Sequence, residues 1–333
     1  MIEYLEWFVI AFPLLGGLLN ALGGPRFSRQ TQSWLAFGGA VGAVVAWLPL
    51  LIGQLLAPGL AGLSRSLRWI KAWDGQRFIE GPLRLYIDGW SVWTALVVVI
   101  LGMWGLAWVV TREHAFEGRP RWLVLSLIDG LLGAILLIIL ADNLWTALIG
   151  WSVAGWLLYA LLGHDRSSVT WPLWLLTGDG GFLLAIGLLS PCLVSLSVDS
   201  LSVFPSADSR VGGLLPIEPV LPVARSLLVW ALLARFGMPI LAQRRGNGRI
   251  GVVLALSFAL PGSVIWLHRL STLLFPLTVW EIGAALVPAG LVWLADRGQM
   301  RLAAAGRAIA GWENRIAQAV DNRLGRLLNN DQQ

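Results

Sequence analysis

Four charged side chains fall within long apolar runs: the acids Asp129, Asp179 and Glu281, and the base Arg235. A charge at the centre of a membrane helix costs about 2.5–3.5 kcal/mol on insertion scales, so each of these needs a partner or a wet cavity. Two roles suit such groups. A carboxyl that exchanges its proton is a carrier, whereas one that is neutral or paired fixes how helices pack. For Asp129 the carrier role competes with a neutral or Arg235-paired packing role, and packing is preferred because one carboxyl does not make a relay. Arg235 stays protonated and cannot shuttle a proton. Asp179 lies near an expected helix end, where a structural or headgroup-level role fits, and Glu281 is placed to face a neighbouring subunit.

Other chemistries lack their residues. His114, His164 and His268 are far apart, and Cys192 is the only cysteine, so neither a metal set nor a disulfide can be assembled from them. There is no phosphate loop, nucleophile elbow or dinucleotide fingerprint. The expectation is a chain with no catalytic residue, no metal site and no bound nicotinamide, flavin or iron–sulfur cluster.

The elements that would hold the four charges are membrane spans. Of 333 residues, 57% are hydrophobic and 13% charged, and the mean hydropathy is +0.72; soluble domains carry about 25% charged residues. Several of the twenty tryptophans, among them Trp47, Trp90, Trp122 and Trp266, stand at the ends of apolar runs, where an amphipathic ring suits the headgroup layer. A span needs about 20 apolar residues. On that measure the sequence predicts an all-α polytopic membrane protein with nine helices, over 6–23, 32–57, 89–111, 121–141, 143–163, 171–190, 222–242, 249–268 and 272–295. The seventh is bracketed by Pro222 and Pro239 and interrupted by Arg225 and Arg235, which marks it as a candidate broken helix.

The net charge of +5 would suit nucleic acid, but the arginines cluster in short loops, which is the pattern that orients membrane proteins. Arg26 and Arg29, Arg112 to Arg121, Arg166, and Arg244 to Arg249 fall on one side if the N-terminus is outside. The acidic N-terminal residues read as the start of the first span and not as a removed signal. The cytoplasmic tail, 297–333, reads as an amphipathic helix whose stripe of Leu302, Ile309, Trp312, Ile316 and Leu324 would fasten the chain to neighbouring subunits or to lipid.

Five short motifs occur in a telling order. They are Leu85-Tyr86-Ile87-Asp88-Gly89-Trp90-Ser91, Leu140-Ala141-Asp142-Asn143-Leu144, Ile149-Gly150-Trp151, Leu157-Leu158-Tyr159-Ala160-Leu161-Leu162-Gly163 and Gly178-Asp179-Gly180-Gly181-Phe182-Leu183-Leu184. In this order the chain resembles the antiporter-like subunits of respiratory complex I, above all the large distal one, and with it the largest Mrp antiporter subunit. The resemblance covers about residues 6–300 and is strongest between 85 and 185. It implies inverted five-helix repeats, each forming half of a proton path, with the first repeat at 121–268 after three leading helices (1–120) and before a last helix (269–296). With nine spans, the second repeat is expected to be absent.

Residue by residue, the titrating positions implied by the resemblance are altered. Ser152 stands where the family has a buried glutamate, and serine does not ionise. Arg235 is nearest to the family's lysine, and the family's histidine falls on apolar residues around Ala255 and Leu256. The resemblance therefore implies a shortened, degenerate, non-redox membrane-arm subunit of a complex I-type (NADH–quinone oxidoreductase-like) assembly, with a disabled proton path and no nucleic-acid partner. The alternatives are an active ion or bicarbonate transport subunit of a related assembly and a stand-alone membrane scaffold.

Overall fold

In the computed structural model of the chain, the described residues are 5–56, 63–73, 78–111, 119–162, 170–190, 196, 220–244, 261 and 263–270. They form α1 (Leu5–Gly23), a 3-10 turn (Gly24–Arg26), α2 (Arg29–Leu56), β1 (Leu63–Trp73), β2 (Phe78–Ile87), α3 (Gly89–Thr111), α4 (Arg121–Leu140), α5 (Leu144–Leu162), α6 (Thr170–Leu189) and α7 (Leu221–Arg244). A short helical piece, α8, follows at 263–269. Among the described residues, five helices (α1 to α5) are long and apolar enough to cross a membrane, while the described apolar stretches of α6 and α7 are shorter. The chain is a multi-pass membrane protein. The expected ninth span with Glu281, and the tail with Leu302, Ile309, Trp312, Ile316 and Leu324, lie outside the described residues.

The all-α expectation is wrong for one segment. Residues 63–87 contain a two-stranded antiparallel hairpin, paired from Leu63 opposite Ile87 to Trp73 opposite Phe78. Its register shifts between Arg68 and Ile70, where β1 faces Pro82 and Gly81. Pro82 has no N–H to give to a ladder, and an extra residue on the opposite strand is the usual accommodation. The far end of β2 is stitched to the rest of the molecule by a bridge between Leu85 and Ala141.

Around the hairpin the helices pack on a hub. In α4, 78% of the apolar window is buried, against 33% in α2, and α1, α2, α3 and α5 all contact it. Its sequence explains the position: between Arg121 and Leu140 only Ser126 and Asp129 are polar, so no side of this helix prefers water. Outward faces of the surrounding helices carry Leu18, Val45, Ile100 and Val153, all exposed in the chain, as lipid- or protein-facing surfaces require. Gly150 brings α5 close, because a methyl group there would sit 2.9 Å from the Ala134 carbonyl oxygen.

The expected break in the seventh span does not occur. Helix α7 runs from Leu221 to Arg244 without interruption. Pro222 stands in its first turn, where its missing N–H has no helical acceptor to lose, and Ser226 donates from Oγ to the Pro222 carbonyl at 2.9 Å.

Candidate functional site

Two buried polar centres lie at different levels of the bundle. The first is built where α4 ends. Its last carbonyls have no partner within the helix, and the backbone turns extended at Ala141. Side chains from α8 fill the gap. Trp266 donates from Nε1 to the Ile138 carbonyl at 2.8 Å, and Arg269 donates from Nη1 to the Ala141 carbonyl at 2.6 Å. A cation at a helix C-terminus is favoured by the helix dipole.

The same guanidinium reaches the start of α3. Its Nη2 lies 3.5 Å from Oδ1 of Asp88, and Arg269 is 5% exposed. The buried Asp142 carboxylate adds its attraction, while the Tyr86 and Trp266 rings stand 5.5 and 5.8 Å from the guanidinium carbon. Asp88 is itself fixed by capping α3. Its Oδ1 accepts the Ser91 N–H at 2.7 Å, and the Asp88 N–H donates to Ser91 Oγ at 2.9 Å. Asn143 caps α5 in a similar way, its Oδ1 accepting the Thr146 N–H at 2.8 Å. The first two motifs of the sequence thus meet, tied by an arginine that the sequence analysis did not single out as a site.

The second centre is Asp129, fully buried at 0% exposure. It faces α1. A methyl group on Gly16 would sit 3.1 Å from Asp129 Oδ2 and 3.0 Å from the Leu35 carbonyl oxygen of α2. A methyl group on Gly17 would sit 2.9 Å from the Ser126 carbonyl oxygen of α4. Ser126, one turn before Asp129, donates from Oγ to the Gly17 carbonyl at 2.7 Å. Neither Asp129 oxygen has a hydrogen-bond partner among the described residues. The Arg235 side chain lies outside those residues, so the expected Asp129–Arg235 pairing falls beyond them too.

The remaining site residues are dispersed. Ser152 is half-buried on α5, next to Trp151, whose ring meets Phe182 edge-on at 5.7 Å. Asp179 is half-buried on α6 and is engaged in an interaction there. Its neighbouring glycines let α6 and α7 close up: a methyl group on Gly178 would sit 2.7 Å from Ala234 Cβ, and one on Gly181 3.0 Å from Trp230 Cδ1. Between α5, α6, α7 and α8 a small cavity is lined by the apolar side chains of Trp151, Phe182, Leu228, Ala231, Trp266 and Leu270.

At the opposite end of the bundle from Arg269, two basic loops come together. Arg121 donates from Nη2 to Ser33 Oγ at 2.7 Å, joining the start of α4 to the start of α2. Arg119 donates to the Ala160 carbonyl near the end of α5, and burial pushes its pKa down from the usual arginine value.

With this geometry in view, the likeness to known proteins can be placed. No family model matches the chain. It is 26% identical over 171 residues to NADH-quinone oxidoreductase subunit L of Mycobacterium tuberculosis, an alignment covering 49% of this chain and 26% of that protein. The chain is a relative of the antiporter-like subunits of complex I. It is also 28% identical over 170 residues to a probable inorganic carbon transporter subunit, DabB1, of Halothiobacillus neapolitanus, covering 50% of this chain and 27% of that one. Its fold matches a chain in the membrane-bound sulfane sulfur reductase, an archaeal respiratory membrane complex, with a TM-score of 0.57 and 13% identity, over 83% of this chain and 55% of that one. The matched part is thus about a quarter of the length of these curated relatives.

Proposed function

We propose that this antiporter-like chain is a non-redox membrane-arm subunit of a complex I-type, redox-linked ion-translocating assembly, and that its own proton path is disabled. The observation that carries the reading is the small cavity between α5, α6, α7 and α8, lined by the apolar side chains of Trp151, Phe182, Leu228 and Trp266, beside Ser152 in place of a titrating acid. A proton moving through a membrane protein needs ionisable groups or water at close intervals, and these side chains carry no ionisable group. In this reading 121–268 is one five-helix repeat. The chain binds no redox cofactor itself, and its role is to bury its lateral faces against neighbouring subunits.

The Ser152→Ala variant, assembled in its complex and reconstituted, is expected to keep its pumping stoichiometry. Lost pumping with intact assembly would refute the disabled path. The N-terminus is proposed to lie outside and the arginine-rich loops inside. Single cysteines placed at Gln30 and Gly248 should therefore both be shielded from an impermeant external reagent; labelling of either reverses the topology.

A second reading, an active ion or inorganic carbon transport subunit, is favoured by the likeness to the transporter subunit of Halothiobacillus. It requires charged groups to carry the ion past Trp151 and Phe182, and gains ground if Ser152→Ala abolishes uptake by vesicles containing the whole assembly.

A further inference from the structure

The Asp129 notch is the least explained chemistry in the bundle. Three helices meet there at backbone distance. A single point, where a methyl group on Gly16 would sit, lies 3.0 Å from the Leu35 carbonyl oxygen, 3.1 Å from Asp129 Oδ2 and 3.3 Å from Gly39 Cα. The Asp129 carboxyl and the Leu35 carbonyl oxygen thus border the same point, and as a carboxylate Asp129, at 0% exposure, would hold a full negative charge in a place that water does not reach. Among the described residues, the helices packed around it carry few ionisable groups. Helices α3 and α5 contain no Asp, Glu, Lys, Arg or His; the titratable Tyr159 of α5 stands two residues past Leu157, which a methyl group on Gly130 would meet at 3.2 Å. On α1 the one ionisable side chain is Glu6, ten residues from Gly16, and on α2 it is Arg29, at the helix start. On α4 itself it is Arg121, two turns away, about 12 Å along the axis, with its Nη2 given to Ser33. The hairpin carries Arg65, Arg68, Lys71, Glu80 and Arg84, with β2 bridged at Leu85 to Ala141, beyond the last turn of α4, and the 3-10 turn after α1 carries Arg26, ten residues past Gly16.

We propose that Asp129 is a proton-binding site, and that the bound proton is the ligand that closes the junction of α1, α2 and α4. Addition of a proton turns one carboxylate oxygen into an O–H and removes the charge. The notch then holds a neutral group of the right size. A metal cation fits poorly, since the atoms bordering the notch already crowd a single methyl group and leave no room for the five or six oxygen ligands of an alkali ion. The site does not depend on whether ions cross the chain: a proton held here is structural and is released only when the junction opens.

The test uses the full chain in native membranes. A membrane-permeant hydrophobic carbodiimide reacts with a protonated carboxyl by adding its O–H across a C=N bond, with no leaving group, so the mass gain marks the protonated acid. Modification at Asp129 near neutral pH is expected, falling as pH rises. The melting temperature of the wild-type assembly should also fall as pH rises above the ordinary carboxylate range, because the proton-bound form is the one that fits. Asp129→Asn, neutral at every pH, should flatten that profile. If the variant does not accumulate, modification of the wild-type chain still decides. No modification at Asp129, or identical pH profiles for the two proteins, overturns the proposal. Protection by sodium at constant pH also overturns it, in favour of a metal cation.

Discussion

Arg269 and Asp129 are both ionisable and buried, and the protein treats them in opposite ways. Arg269 is surrounded: a carbonyl at the end of α4, the Asp88 carboxylate, the Asp142 charge and two aromatic rings converge on it. Asp129 has glycines and peptide oxygens. A guanidinium cannot shed its charge, so it must be matched wherever it is buried, whereas a carboxyl can take up a proton and be matched by nothing more than shape. The contrast teaches that the charged positions of this chain sort by whether the side chain can become neutral, more than by how deeply it is buried.

The comparison can be broken most forcefully from the Arg269 side. Arg269→Ala removes the cation from two carboxylates and from a buried helix end at once, and should cost about 3–5 kcal/mol of unfolding free energy in mixed micelles. A loss below about 1 kcal/mol would mean that water enters this junction and that its burial is unimportant. Asp88→Asn is the gentler cut. It keeps a capping oxygen for the Ser91 N–H but drops the ion pair, with an expected cost of about 1.5–3 kcal/mol. A double-mutant cycle with Arg269→Ala should show coupling between the two, and strict additivity would separate them. The smallest effect belongs to Asp129→Asn, which near neutral pH should change stability by less than about 1 kcal/mol, since one neutral group replaces another. A cost as large as that of Arg269→Ala would place a charge on Asp129 and erase the contrast.

How far the two centres could be read in the sequence differs as sharply. The spans were legible because lipid imposes a length: the expected 89–111 is the observed Gly89–Thr111, and 121–141 is observed as Arg121–Leu140. Asp129 was legible for the same reason, as a charge in a run that should have none. The hairpin was not, because 60–88 falls between two expected spans and carries Arg65, Arg68, Lys71 and Glu80. The signal was present nonetheless, in an alternation of apolar and polar residues on either side of Asp74-Gly75, a dipeptide that favours tight reversals. Arg269 was not singled out. Its partner carbonyl at Ala141 is 128 positions away, and no local periodicity encodes a pairing at that range. The glycines of Gly178-Asp179-Gly180-Gly181 are a third case. They stood out as a pattern, but their use as the contact surface of α6 with α7 emerges only once Ala234 and Trp230 are seen opposite them.

Synthesis order gives the Arg269 junction a further meaning. Asp88, Ala141 and Asp142 leave the ribosome long before the residue that ties them together. At about 5–20 residues per second, the 128 positions between Ala141 and Arg269 correspond to a wait on the order of ten seconds. Throughout that interval the hairpin and the ends of α3, α4 and α5 are without their shared cation, and the half-made bundle stays open at that end. The arrival of Arg269 is then a clasp that closes only on a chain whose earlier helices already stand in place, so a misplaced helix is left unlatched and exposed to the cell's quality control.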